Sequence, residues 1–187
     1  MKLIAFLLLL LPLDAAAAER SVQYSVRGLF QPDRKAVLIN AAKALENCSL
    51  VGVDYETARA TFTYDDEAQS FKKAGPEQIL RQIDNQIRTL TDSTFTLLPP
   101  SNLPEAGLKR IDFTIEGLDC LGCSYGAYRA IVALEGVERA TASFRDAKLT
   151  AFIDPAKTSR ETLAEALKKK EIKIVEAAST QELPPKK

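Results

Sequence analysis

Apolar and polar positions alternate with two periods along this chain, and the order in which those periods change outlines its elements. Val22 to Arg27 reads as a strand, and Gly28-Leu29 leads to Pro32-Asp33, a helix-start signature. Val37, Leu38, Ala41, Ala42 and Leu45 recur at helical spacing; Val51, Val53 and Tyr55 then alternate with period two, and Ala58 to Tyr64 alternates again to close a hairpin. Pro76 opens a second helix with Ile79, Leu80, Ile83, Ile87 and Leu90 on one face, and Thr94 to Leu98 supplies a last short strand. The order is βαββαβ.

The same order follows a second time. A strand is expected at 109–116, where Ile111, Phe113 and Ile115 alternate with polar residues, and a helix from about Cys123 to Leu134. Strands near 137–144 and 147–153, a helix at 159–170 and a strand at 172–176 complete the set. Residues 28–65 lie on 117–154 at a constant offset of 89 without a gap, so that Gly28 meets Gly117, Leu45 meets Leu134, Tyr55 meets Phe144 and Asp65 meets Asp154. A shared spacing across strand, helix and hairpin is the mark of an internal repeat. A βαββαβ unit of about 70 residues is the ferredoxin-like arrangement, with two helices on one face of a four-stranded antiparallel sheet. The expected fold class is therefore α+β, with two tandem ferredoxin-like domains at 19–98 and 108–178. Each buries a small core. Pro99-Pro100-Ser101-Asn102-Leu103-Pro104 marks 99–107 as a stiff extended linker, and 179–187 reads as a disordered polar tail.

Composition narrows the chemistry. Twenty-five basic and 25 acidic residues balance, which gives no electrostatic case for nucleic acid or an anionic membrane as partner. The chain has no His and no Trp, and Met1 is its single methionine. The commonest general base is thus missing, which argues against hydrolase or peptidase chemistry. Any transition-metal site must be built from Cys48, Cys120, Cys123, carboxylates, backbone and water. At the start, Lys2, the leucine run Leu7 to Leu11 and Ala15-Ala16-Ala17-Ala18 have the layout of a secretory signal peptide over 1–18, with cleavage near Ala18. No later stretch approaches the roughly 18 apolar residues of a spanning helix. The expectation is a periplasmic or secreted protein without a membrane anchor.

Gly117-Leu118-Asp119-Cys120-Leu121-Gly122-Cys123 is the one place where two soft ligands stand at a fixed short spacing. The cysteines lie where a strand turns into the first turn of a helix. Unpaired backbone N–H groups and the positive end of the helix dipole favour thiolates there. Cys-X-X-Cys alone is shared by metal sites, redox motifs and half zinc fingers. Cys48 falls at the position of Val137, which points inward, and reads as a small buried hydrophobe. Tyr125 and Tyr128 read as partly buried rim or core, with Tyr128 a candidate to flank the loop.

On these residues the second unit resembles the heavy-metal-associated domains, the family of small copper chaperones, periplasmic mercury-binding proteins and N-terminal modules of metal-pumping P-type ATPases. The likeness covers 109–176 fully and 22–98 by shape only. The family pattern Gly-Met-X-Cys-X-X-Cys has its counterpart in residues 117–123, with Leu118 standing for a Met that packs under the loop, a volume-conserving change. The resemblance implies that Cys120 and Cys123 are metal ligands for one soft ion: Cu(I), Hg(II) or Zn(II)/Cd(II). It also implies a membrane metal transporter or another metal-binding protein as partner. An acidic residue before the first cysteine resembles the zinc, cadmium and lead pumps, so Asp119 is a candidate third ligand; it is equally a candidate helix cap. Lys170 is placed near the loop by the fold and would offset the charge of a dithiolate complex. In the first unit, Phe30, Gln31 and Arg34 replace Asp119, Cys120 and Cys123, which makes it a structural or partner-docking copy. The function implied is a non-enzymatic carrier, chaperone or scavenger. A thiol–disulfide redox protein is the alternative, although Asp119 replaces the aromatic residue that pattern favours before the first cysteine. A plain interaction module is the third possibility.

Overall fold

The computed structural model describes residues 19–175, so the expected leader at 1–18 and tail at 179–187 lie outside the described residues. The first half builds β1 (Glu19–Arg27), α1 (Arg34–Ala42), β2 (Cys48–Asp54), β3 (Arg59–Asp65), α2 (Pro76–Leu90) and β4 (Thr96–Leu98). The second builds β5 (Lys109–Ile115), α3 (Leu121–Ile131), β6 (Val137–Ser143), β7 (Lys148–Ile153), α4 (Arg160–Lys168) and β8 (Ile174–Val175). The strands pair in two four-stranded antiparallel sheets of orders β2-β3-β1-β4 and β6-β7-β5-β8. The fold is α+β with two ferredoxin-like units. Ala58 and Ala147 occupy the same hairpin position and both adopt φ of +49°.

Each core forms where strand alternation meets a helical stripe. In the first unit Tyr24 and Val26 of β1, Phe62 of β3 and Ile79, Ile83 and Ile87 of α2 are buried together. In the second, Ile111, Phe113 and Ile115 of β5 meet Ala127 and Ile131 of α3 and Leu163 and Leu167 of α4. The sequence pattern misplaces a few positions. Val51 is 58% exposed because a register shift between Leu50 and Gly52 turns it off the inner face, leaving Leu50 and Val53 packed against the core. Tyr55 lies in the turn after β2 instead of in the strand. Val37 and Leu90 are exposed, since α1 buries only Leu38 and Ala42, and α2 buries its three isoleucines. The last strand of each unit is shorter than the pattern suggests.

The two units interlock through the loop that joins β1 to α1. Phe30, 1% exposed, belongs to the core cluster of the second unit although it lies in the first. Its ring lies 5.3 Å from Tyr128 and 5.1 Å from Tyr125. Its carbonyl accepts from the Ala142 N–H of β6 at 2.7 Å, and the Gly28 N–H donates to the Tyr128 hydroxyl at 3.0 Å. Gly28 has φ of +93°, and a Cβ there would stand 2.1 Å from the Thr94 carbonyl oxygen, so the turn requires glycine.

The 99–107 segment is more than the extended spacer its prolines suggest. Glu105–Gly107 form a 3-10 turn, and Glu105 accepts from Arg139 at 2.7 Å while also pairing with Arg59. The Arg139 side chain is 1% exposed, and a buried guanidinium of this kind needs such a counter-charge. Arg145 and Asp33 add an exposed pair at 3.1 Å between the units.

Candidate metal centre

The 117–123 loop is set by three local features. Gly117 takes φ of +70°, turning the chain sharply out of β5. Leu118 is buried in the second core and anchors the loop from beneath, the packing role expected for it. Cys120, in extended conformation, is the N-cap of α3, and its Sγ accepts from the Cys123 N–H at 3.0 Å. The helix therefore begins at Leu121, two residues earlier than its periodicity suggests. The capping role considered for Asp119 falls to Cys120 instead, because Asp119 sits one residue before the cap. Ser124, fully buried, donates its hydroxyl to the carbonyls of Leu121 and Cys120 at 3.0 and 3.2 Å and stiffens this first turn.

Asp119, Cys120 and Cys123 come together at the surface, with one ligand atom from each lying within 4.8 Å of the others. Among the described residues this is the single grouping of three or more Cys, Asp or Glu side chains able to surround an ion. An Asp119 carboxylate oxygen stands 3.6 Å from Cys123 Sγ. The two sulfurs are joined as a disulfide, with the Cα atoms 5.1 Å apart. In this oxidised state the pair offers no thiolate, so metal binding requires two-electron reduction of the Cys120–Cys123 bond to the two thiolates. Lys170, in the turn two residues past α4, lines the same open cleft of about 550 Å³ as Cys123, together with Gly117 and Lys173; Lys173 pairs with Glu116 at 3.9 Å.

Cys48 plays no part in this cluster. It lies buried at the start of β2 in the first core, where burial pushes its thiol up to about 11, against a weaker opposing contact from Gln86. Tyr128 is buried against Phe30, and burial raises its hydroxyl despite the hydrogen bond from Gly28. Tyr125 remains exposed beside the loop. Sequence reasoning missed how the first unit meets the second. Phe30, aligned with Asp119, carried the one available signal: a bulky aromatic residue where a surface loop holds a polar one.

No family model matches the chain, and no curated protein matches it. Among solved structures it is similar to the N-terminal soluble domains of Bacillus subtilis CopA, at 19% identity, over 85% of this chain and 94% of that one, with a TM-score of 0.34. It is similar to oxidised MerP from Ralstonia metallidurans CH34 at 22% identity, over 37% of this chain and 99% of that one, TM-score 0.34. A proposed copper-ion-binding protein of Bacillus anthracis str. Ames matches at 16% identity over 40% of this chain and all of its own, TM-score 0.36. The assignment of the fold rests on the strand orders themselves.

Proposed function

We propose that this chain is an exported heavy-metal-binding protein that holds one soft ion through the reduced Cys120 and Cys123 thiolates. The observation that carries this reading is the convergence of two sulfurs and a carboxylate at the exposed start of α3. Thiolates gain there from the N–H groups of the helix's first turn, as the Cys123 N–H bond to Cys120 Sγ illustrates. Two thiolates suffice for linear Cu(I) or Hg(II), whereas Zn(II) or Cd(II) gains from the Asp119 carboxylate as a third, harder ligand. Lys170 is a nearby cation that offsets the complex's negative charge, a contribution of about 1 kcal/mol or less at an exposed site.

An exposed loop suits transfer. A thiolate from a membrane transporter or another metal-binding protein can join the ion before a Cys120 or Cys123 bond breaks, so the ion is never released free. No substrate is transformed. The metal-binding resemblance of the loop and the signal-like leader support this reading and its periplasmic setting. The bonded sulfurs favour a second reading, a thiol–disulfide redox protein using the same pair.

Native mass spectrometry of the reduced mature chain, offered Cu(I), Zn(II), Cd(II) and Hg(II) in competition, tests the proposal. One ion per chain, lost in Cys120→Ser/Cys123→Ser, is the expected result. A preference for Zn(II) or Cd(II) that weakens in Asp119→Ala would make Asp119 a ligand. No retained ion, with a rapidly exchanging disulfide, would replace the carrier reading by the redox one.

A further inference from the structure

Where the two units meet, Leu121 and Gly122 of the dithiol loop form part of the wall of a second open cleft, about 680 Å³ in volume. Arg27 ends β1, Arg34 opens α1 and Arg129 projects from α3, and all three line it with Thr94 and Tyr125. No Asp or Glu is among its lining residues, and none of the three arginines forms an ion pair among the described residues. Neutral rings hold two of them instead. The Arg34 guanidinium lies 4.8 Å from the Phe30 ring centre, and Arg129 donates to the Tyr125 hydroxyl at 3.2 Å. Asp33, the acidic neighbour of Arg34, is engaged by Arg145. Three uncompensated guanidiniums in a concave site focus a positive field, and the volume suits a small organic molecule.

The position of Gly122 gives the cleft its chemistry. A Cβ built there would lie 3.8 Å from Cys120 Sγ, so the sulfur lies beside a wall residue that carries no side chain, although neither cysteine is itself part of the lining. We infer that this cleft binds a small thiol bearing carboxylates, which docks them on Arg27, Arg34 and Arg129 and exchanges with the Cys120–Cys123 pair. The inference rests on the reading of that pair as a functional dithiol. In the exchange, the small thiolate attacks one sulfur, the Cys120–Cys123 bond breaks, and a mixed disulfide forms as the other cysteine leaves as thiolate. A second small thiolate attacks the small-thiol sulfur of that mixed disulfide and releases the small-molecule disulfide. Two small thiols are oxidised, the protein disulfide is reduced by two electrons, and the two thiol protons pass to the protein thiolates through solvent. Carboxylate–guanidinium pairing, bidentate where geometry allows, supplies the selectivity.

The test measures second-order rates of reduction of the oxidised mature chain by glutathione, 2-mercaptoethanol and cysteamine, each corrected for its thiolate fraction. Glutathione is expected to outpace cysteamine by about tenfold, an advantage that falls several-fold in Arg27→Gln/Arg129→Gln and in ~0.5 M salt. Arg34→Gln is a separate variant, since it also removes the stack on Phe30. The same ratio in wild type and in folded variants, or a disulfide that none of the thiols reduces, would overturn the inference. Metal stoichiometry is read separately. Selectivity without metal binding would sink the carrier reading alone; metal binding without selectivity would sink this inference alone.

Discussion

Phe30→Ala separates two views of the first unit: an independent copy joined by a linker, or part of the second unit's core. The ring is 1% exposed and packed among residues of the second cluster. Truncating a buried phenylalanine costs about 3–5 kcal/mol, of which the tilted contact with Tyr125 and the stack on Tyr128 contribute roughly 0.5–1.5 kcal/mol each beyond area. Because the Phe30 carbonyl accepts from the Ala142 N–H, the loss should be felt on β6, more than 100 residues away in sequence. Urea unfolding followed by far-ultraviolet and tyrosine circular dichroism, with hydrogen exchange at the Ala142 amide, measures it. The expected result is a loss of about 3–5 kcal/mol, faster exchange at Ala142 and two transitions in place of one. Phe62→Ala, a similar truncation within the first core, should destabilise that unit while leaving Ala142 protected. A loss under about 1 kcal/mol in Phe30→Ala with unchanged Ala142 exchange would refute the interlocking.

Three further predictions follow from single sites. Gly28→Ala forces a Cβ against the Thr94 carbonyl at positive φ and should cost more than about 2 kcal/mol, read as a lowered melting temperature, whereas Gly117→Ala, which meets no atom within 4 Å, should cost less. Cys48, with its thiol pushed up to about 11, should resist alkylation at pH 8 in the native chain and react on unfolding; the folded-state value is raised, so its contribution to stability is full below about pH 9 and is lost as pH rises toward 11. Burial alone would raise Glu105, but Arg139 and Arg59 outweigh it and hold the carboxyl below its ordinary 4.5; its stabilisation is present above that pH and lost as pH falls through the lowered value. Glu105→Gln should cost about 1–3 kcal/mol at pH 7, seen in denaturant midpoints, by leaving the Arg139 guanidinium buried beside a neutral partner.

The strands and helices were legible because two periods and a few stop signals specify them. Ile79, Ile83 and Ile87, or Ile111, Phe113 and Ile115, can be buried together on only one kind of element. Val51 was misread because a register shift leaves no mark in an alternating run. The cysteine loop was legible as a unit, since Gly117, Leu118 and the downstream helix fix its place. The cap was not, because whether Asp119 or Cys120 accepts the first helical N–H depends on one residue of helix start. Nothing local announced that Glu105 would bridge Arg59 and Arg139, because a charged residue after prolines reads as a solvated linker.

The two βα loops show how one backbone solution serves opposite ends. Gly28 and Gly117 both take positive φ, and Leu29 and Leu118 are both buried beneath their loops. The positions that follow decide what the loop does. In the second unit they are Asp119, Cys120 and Cys123, polar or soft groups at the surface. In the first they are Phe30 and Gln31, which are buried, and Arg34, whose guanidinium stacks on Phe30. Because a loop tip contributes little to its own core, a hydrophobic plug in place of the surface carboxylate and cysteines leaves the first sheet intact while giving the second a ring between Tyr125 and Tyr128 and a hydrogen bond to β6. The plug also fixes the α3 helix that carries the cysteines, since the Gly28 N–H and the Phe30 ring both bear on Tyr128 one turn beyond Ser124. The first unit thus acts on the dithiol by holding the helix it opens, and the arginines at the edges of that contact, Arg27 and Arg34, are brought beside the loop by the same docking.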